Sequence, residues 1–243
     1  LATAAAAAGL PVEGKPEMFR FGELNVLRVR RILDGDTTLE EVPPRGTPPQ
    51  LCQGCPHRTI FEILRDNHCL VSGDIGCYTL GVLPPFEAMD SCVCMGASIG
   101  VGLGMRHVLP EEQARKVVSV IGDSTFVHSG ITGLVEMGYN RPPTGHVVLI
   151  LDNGTTAMTG LQEHPGTGRT LNHQPTSQLH FENLARALGI ERVFVLDPRK
   201  GAAEIQDTIL QSLGQNEPTV IIVRSPCLLA AKKIKAYTKT GKE

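Results

Sequence analysis

The sequence predicts an α/β protein with a doubly wound, mostly parallel sheet flanked by helices. Three observations predict it. Apolar runs such as "KVVSVIG", "HVVLILDN" and "TVIIVR" are continuous instead of alternating, as strands become when helices cover both faces of a parallel sheet. Segments with helical periodicity separate them, at the spacing of strand–helix–strand units. Asp, Asn, Gly, Ser and Thr collect just after the strands, and sheets of this kind bind ligands at the carboxyl ends of their strands.

Along the chain, residues 1–50 carry little pattern: an alanine run, then "RFGELNVLRVRRIL", then the proline-bearing "EVPPRGTPPQ", which reads as an extended connector. This region is expected to be an N-terminal extension, or the end of a preceding domain. A boundary near residue 50 opens the main domain, 51–230. Within it, "FEILRDN" reads as a helix, "HCLVS" as a short strand, and "ASIGVGLGMRHVL" as a helix with small residues on one face. "KVVSVIG" is a strand, "SGITGLVEMGYN" a helix and "HVVLILDN" a strand. "FENLARALG" (helix), "RVFVLD" (strand), "GAAEIQDTILQSLG" (helix) and "TVIIVR" (strand) complete the alternation. Residues 231–243 form a basic tail, read as solvated because charge runs are commonly tails.

Composition excludes several classes. The chain has 243 residues, 41% hydrophobic and 20% charged, with a net charge of −2. That is an ordinary globular balance, long enough to bury a sizeable core. Lys and Arg form no basic stripe, which argues against nucleic acid. No run approaches the ~18 apolar residues of a membrane span. "LATAAAAAGL" lacks the basic flank of a signal peptide. The chain opens on Leu, which suits a fragment, a processed product or missing first residues. Seven cysteines fit no tidy disulfide framework, so reduced thiols in a cytoplasmic setting are expected, some of them recruited by a metal.

Two strand ends carry the chemistry. "KVVSVIG" runs into Gly122, Asp123, Ser124 and Thr125, which offer a turn, a carboxylate, hydroxyls and backbone N–H groups. A helix beginning near Ser129 would add the positive end of its dipole. A carboxylate beside a phosphate cradle suits Mg²⁺, although Asp123 and Ser129 would also serve as plain helix caps. The next strand ends in Asp152, Asn153 and Gly154, followed by Thr155, Thr156, Ala157 and Met158. Parallel neighbours end at one edge, so Asn153 is expected near Asp123. "Asp-Asn-Gly" alone is also a turn signal. Cys52 and Cys55 in "LCQGCPHR" form a Cys-x-x-Cys hairpin, open to zinc, redox or cluster chemistry.

Gly-Asp-Ser, 28 further residues and then Asn after an apolar strand resembles the diphosphate-binding motif of thiamin enzymes. The resemblance implies Mg²⁺ held by Asp123, Asn153 and the carbonyl of Thr155. One departure is Ser124, where that family usually has a second glycine. "NGTTAMTGLQ" resembles the corresponding loop of 2-oxoacid:ferredoxin oxidoreductases, which implies cofactor contact at Ala157 and Met158. "MGASIGVGLGM" is similar to their glycine-rich helix start and implicates Met95, Gly96, Ala97 and Ser98, while small residues there also serve close helix packing. Ile75, Gly76, Cys77 and Tyr78 would lie between cofactor and cluster. In this family a Cys-x-x-Cys, an Ile-Gly-Cys loop and a late Cys hold a [4Fe–4S] cluster, which implies Cys52, Cys55, Cys77 and Cys227 as ligands. Zinc is the competing metal, and Cys92 and Cys94 are competing thiols. Cys69 reads as a small buried hydrophobe. "GCPHR" looks like the indolepyruvate branch, and His57 is a catalytic candidate there, though a histidine at a helix start is more commonly a structural hydrogen-bonder.

The resemblance covers about residues 50–230. It implies oxidative decarboxylation of a 2-oxoacid, in the arylpyruvate class, to acyl-CoA, with coenzyme A as co-substrate and ferredoxin as acceptor. The pyrimidine-binding domain and its activating Glu would come from a partner subunit or another segment, making a hetero-oligomer. A non-redox thiamin decarboxylase and a non-catalytic metal-binding module remain as alternatives. A dinucleotide site at "GVGLGM" is weaker, because no strand precedes it.

Overall fold

A computed structural model describes residues 2–12, 14–39, 49–232 and 235–236. The chain divides into two compact units, Leu1–Pro48 and Pro49–Glu243. Most of the proline-bearing connector and most of the lysine-rich end lie outside the described residues. The first unit contains α1 (Ala2–Ala7), a 3₁₀ turn at Glu17–Phe19 and α2 (Val26–Leu33). Asn25 starts α2 by accepting the Arg28 N–H at 3.0 Å, the usual device for satisfying a helix's first donors.

The second unit begins with α3 (Arg58–Asp66), β1 (Leu70–Gly73), a 3₁₀ turn at Cys77–Val82 and the two-residue edge strand β2 (Ser91–Cys92). Next come α4 (Ser98–Val108), α5 (Glu111–Ala114) and β3 (Val117–Gly122). Strand β3 passes directly into α6 (Asp123–Thr125), a π-helical turn at Phe126–Gly130 and α7 (Ile131–Tyr139). Then follow β4 (Val147–Asp152), α8 (Phe181–Ala187), β5 (Arg192–Leu196), α9 (Ala202–Leu213) and β6 (Thr219–Arg224).

Among the described residues six strands form one sheet in the order β2-β1-β3-β4-β6-β5, every pair parallel. The doubly wound reading is correct. Its physical cause is visible in β4, all six of whose residues are buried. Val147, Leu149 and Leu151 face a core shared with Ile60, Phe61 and Leu64 of α3 and Ile205 and Ile209 of α9. Val148 and Ile150 face a second core with Ile99 and Leu103 of α4, Leu134 and Met137 of α7, and Phe181 of α8. A strand covered on both faces has no solvent side, so its sequence cannot alternate.

The helix expected near Ser129 starts six residues earlier, at Asp123, and passes through the π turn. The Asp123 carboxylate accepts the Ser124 N–H at 2.8 Å, so the acid itself begins the helical turn. Single π turns occur frequently at functional sites.

A buried polar group lies beneath α4. Ser119 Oγ donates to the Ser98 carbonyl at 2.8 Å, so it must accept from His146 Nε2, also at 2.8 Å. That leaves His146 Nδ1 as a buried acceptor without a partner. Burial, with the positive charges of Arg106 and His107 nearby, holds the imidazole down from 6.5 to about 3. The unfolded chain takes up this proton near pH 6.5 and the folded chain does not, so the stability contributed by His146 is complete above 6.5 and is lost as pH falls toward 3. Urea denaturation across that window is expected to show a shallower acid loss for His146→Gln than for the wild type. Equal slopes would show that another group is responsible.

Candidate cofactor and cluster sites

The carboxyl ends of β1, β3, β4 and β6 meet along one edge, and two cavities open there. The first, of about 130 Å³, is bordered by Gly122, Asp123, Ser124 and Thr125 after β3 and by Asn153, Thr155, Ala157 and Met158 after β4. Ile75, Gly76, Cys77 and Tyr78 form another wall, and Met95 a third. Thirteen of the residues singled out from the sequence therefore line one space, joined by Thr156 and Thr159. Gly96, Ala97 and Ser98 stand behind Met95 and do not border the cavity. Gly96 has φ +84, and a Cβ there would meet the backbone carbon of Ser129 at 2.8 Å, so close packing explains this glycine.

The Asp123 carboxylate is buried, at 2% exposure, and organises the floor. Its Oδ2 accepts from the backbone N–H groups of Asn153 (3.2 Å) and Gly154 (2.8 Å) and from His164 Nε2 (3.2 Å). His164 Nδ1 accepts the Gly166 N–H, so the ring proton sits on Nε2 and the imidazole facing Asp123 is neutral. Asp152 lies beside this carboxylate; burial, and next the charge of Asp123, lift its own carboxyl to about 6, against the pull of Arg224. Arg224 donates to Asp152 at 2.6 Å and to Glu182 at 2.9 Å. One guanidinium thus serves two acids, while Asp123 is held by amides and a neutral ring. A buried anion in that position calls for a cation. Asp123, the Asn153 side chain and the Thr155 carbonyl are hard oxygen donors, so the residues present fit Mg²⁺.

Sequence reasoning missed Asp74. Its buried carboxylate accepts from the backbone N–H groups of Ile75 (2.8 Å), Gly96 (2.8 Å) and Ser98 (3.0 Å). It caps α4 and ties the 75–78 wall to the Met95 loop, through charge-assisted bonds worth roughly 1.5–3 kcal/mol each. The signal was a second strand–Gly–Asp sequence, "LVSGD", parallel to "SVIGD". His164 gave no comparable signal.

The second cavity, of about 230 Å³, is bordered by Cys52, Cys55, Cys77 and Cys227 with an apolar surround of Leu51, Leu80, Leu228 and Leu229. The hairpin turns at Gly54, φ +79, where the Cys55 N–H reaches the Cys52 carbonyl at 3.1 Å. The Cys227 N–H donates to the Asn153 carbonyl at 2.8 Å, which hangs the late thiol on the loop after β4. Burial raises the Cys77 thiol to about 11, with Cys227, Cys52 and Cys55 adding to the shift, and burial likewise raises Cys55. Among the described residues no group of three or more His, Cys, Asp or Glu is gathered around a single-ion position. Four soft donors spaced around a cavity are a donor set that fits an iron–sulfur cluster. Cys92 and Cys94 are exposed, on and just beyond edge strand β2, and do not border this space. Cys69 is partly buried and packs on the core of α3 and α9.

Cys77, Tyr78, Asn153, Ala157 and Met158 border both cavities. His57, the catalytic candidate, borders the thiol cavity at 1% exposure, and both its ring nitrogens are engaged: Nε2 with the Val223 carbonyl at 2.9 Å, Nδ1 with the Tyr78 hydroxyl at 3.3 Å.

Residues 74–223 match the family model described as thiamine pyrophosphate enzyme, C-terminal TPP binding domain. The chain belongs to this family. The match spans the strand ends on both sides of the first cavity, from Asp74 to Val223. As a TPP-binding domain the chain is also 40% identical over 194 residues to indolepyruvate oxidoreductase subunit IorA of Archaeoglobus fulgidus, covering 78% of this chain and 30% of that protein. The subunit of the same name from Pyrococcus horikoshii is 41% identical over 203 residues, covering 78% and 30%. The Methanothermobacter thermautotrophicus subunit is 33% identical over 246 residues, covering 93% and 38%. The chain thus spans about a third of the length of the curated relatives it matches. A solved 2-oxoglutarate:ferredoxin oxidoreductase from Magnetococcus marinus shares the fold of this TPP-binding domain, with a TM-score of 0.59 over 75% of this chain and 66% of that one, at 15% identity. Among the described residues no helix is long and apolar enough to cross a membrane.

Proposed function

We propose that this chain is the diphosphate- and cluster-holding part of a thiamin-diphosphate-dependent 2-oxoacid:ferredoxin oxidoreductase, converting an arylpyruvate such as indolepyruvate to its acyl-CoA. The observation that carries the reading is the shared wall: oxygen donors gathered in one cavity, four thiols around the next, and Cys77 and Tyr78 between them. The names of the relatives support the indolepyruvate branch. When bound, thiamin diphosphate supplies an electron sink for decarboxylation and a [4Fe–4S] cluster supplies a one-electron acceptor.

The chain's own part is placement. Asp123, Asn153 and the Thr155 carbonyl would hold Mg²⁺, with Ser124 and Thr125 beside the diphosphate. Met95, Ala157 and Met158 give the first cavity apolar walls. Cys52, Cys55, Cys77 and Cys227 would hold the cluster, with leucines forming the apolar surround. A pyrimidine-binding domain from a partner subunit or another segment completes the site in a cytoplasmic hetero-oligomer, with ferredoxin as the acceptor and coenzyme A taking the acyl group.

The test is an anaerobic assay of the full-length protein with its co-purifying partner, offered indolepyruvate, pyruvate or 2-oxoglutarate together with coenzyme A and ferredoxin. Ferredoxin reduction is expected, fastest with indolepyruvate. Release of CO₂ without ferredoxin reduction would identify a non-redox decarboxylase instead, and no turnover with any 2-oxoacid would overturn the reading.

A further inference from the structure

Between the two cavities runs a buried chain of side chains whose hydrogen bonds have a fixed direction. It begins at the Val223 carbonyl at the end of β6. A carbonyl only accepts, so His57 Nε2, 2.9 Å away, must carry the ring proton. The ring is buried at 1% exposure, and its two hydrogen-bond partners are an uncharged carbonyl and an uncharged hydroxyl, so it is neutral and Nδ1 is left as an acceptor. The Tyr78 hydroxyl, 3.3 Å from Nδ1, must then be the donor. Its oxygen in turn accepts, and the Asn153 amide presents Nδ2–H to it at 2.9 Å. With its nitrogen committed to Tyr78, the amide turns Oδ1 the other way, where it accepts the Thr155 N–H at 3.1 Å and keeps a second lone pair.

We propose that His57 and Tyr78 are positioning residues that set which end of the Asn153 amide faces the cation, so that a backbone carbonyl in β6 dictates the orientation of a metal ligand after β4. The inference rests on the reading of Asp123 and Asn153 as Mg²⁺ donors and adds to it a reason for the histidine and tyrosine. An Asn side chain is nearly symmetric in shape, and the wrong end would aim two N–H groups at a divalent cation. Tyr78 is held for this task from both sides: its ring stands edge-on to His57, with centroids 5.3 Å apart, and packs against Phe61 at 6.5 Å.

The test uses the fact that a carboxylate has no wrong end. Mg²⁺ is titrated by calorimetry into the full-length protein holding saturating thiamin diphosphate, in wild type, Tyr78→Phe, Asn153→Asp and the double variant. Tyr78→Phe is expected to weaken Mg²⁺ roughly 10-fold, the size of effect seen when a ligand's outer partner is lost. In the Asn153→Asp background the same change is expected to cost less than about 2-fold, because the coupled term has gone. An equal cost in both backgrounds would mean that Tyr78 supports only the fold, and it overturns the proposal. Failure of the wild type to bind Mg²⁺ with the diphosphate overturns the site reading itself, which is a separate result. Should Tyr78→Phe not fold, ¹⁵N NMR of the wild type decides: His57 carrying its proton on Nε2 upholds the chain's direction, and a proton on Nδ1 overturns it.

Discussion

Asp123→Asn is expected to abolish Mg²⁺-dependent binding of thiamin diphosphate and to leave the fold intact, whereas Asp123→Ala is expected to damage both. The two variants separate the charge of this group from its hydrogen bonds. Asn retains an oxygen that can accept from the amides of Asn153 and Gly154 and from His164, and gives up only the acceptor of the Ser124 N–H, so the loop after β4 stays anchored to the end of β3. It also removes a negative charge that raises the carboxyl of Asp152, so the metal-free protein loses little stability. The cation loses its charged ligand. Loss of an outer partner costs about 10–100-fold in metal affinity, so loss of the ligand's charge costs at least ~100-fold. Ala instead strips the acceptor from the N–H groups of Ser124 and Asn153 and from His164, and leaves the Gly154 N–H only its 3.2 Å bond to Asp152. Each orphaned buried donor costs roughly 1–3 kcal/mol. Several together take a large share of the ~5–15 kcal/mol by which domains are stable. Calorimetry with and without Mg²⁺ reads the first effect, and urea denaturation reads the second. If Asp123→Asn bound the diphosphate as tightly as the wild type, the oxygen-donor site would be wrongly placed.

Replacing any one of Cys52, Cys55, Cys77 or Cys227 with Ser is expected to strip the iron from anaerobically purified protein, while the same change at Cys69, Cys92 or Cys94 leaves it in place. The wild type should be brown and carry about four irons and four sulfides, each iron needing one thiolate. The division follows from position: the first four thiols border one cavity, while Cys92 and Cys94 lie exposed at the sheet edge. Burial holds Cys77 near 11 and raises Cys55, so neither ionises at neutral pH without iron to take the charge, and in the metal-free protein these two thiols should react more slowly with alkylating agents than exposed Cys52, Cys92 and Cys94. Iron retained in Cys227→Ser but lost in Cys94→Ser would reassign the cage, and a colourless, zinc-loaded wild type would remove it.

Much of this molecule can be deduced from its sequence because its core is simple. The central strands β3, β4 and β6, buried on both faces, leave continuous apolar runs, and the carboxyl ends of β3 and β4 carry Gly-Asp and Asp-Asn-Gly where a ligand would sit. Three things could not be deduced. "LVSGD" and "SVIGD" look alike and each carboxylate accepts three backbone amides, yet only Asp123 borders the cavity, while Asp74 is buried as a helix cap. His164 precedes a proline in a loop without periodicity, and only folding carries it 41 positions back to Asp123. His57 stood out as a catalytic candidate, but its ring is bound to a carbonyl 166 positions away and to Tyr78, partners that no local pattern encodes.

The turn at Cys77–Val82 has a further consequence. Its first two residues are a thiol that borders the second cavity, where the proposed cluster would sit, and a phenol bonded to Asn153, the proposed cation ligand, and they are joined by a single peptide bond. A shift that improves the fit of one cofactor displaces the other. Substitutions here should therefore be tolerated only in compensating pairs, and this short turn should be the slowest part of the chain to diverge, even though most of its neighbours are ordinary loop.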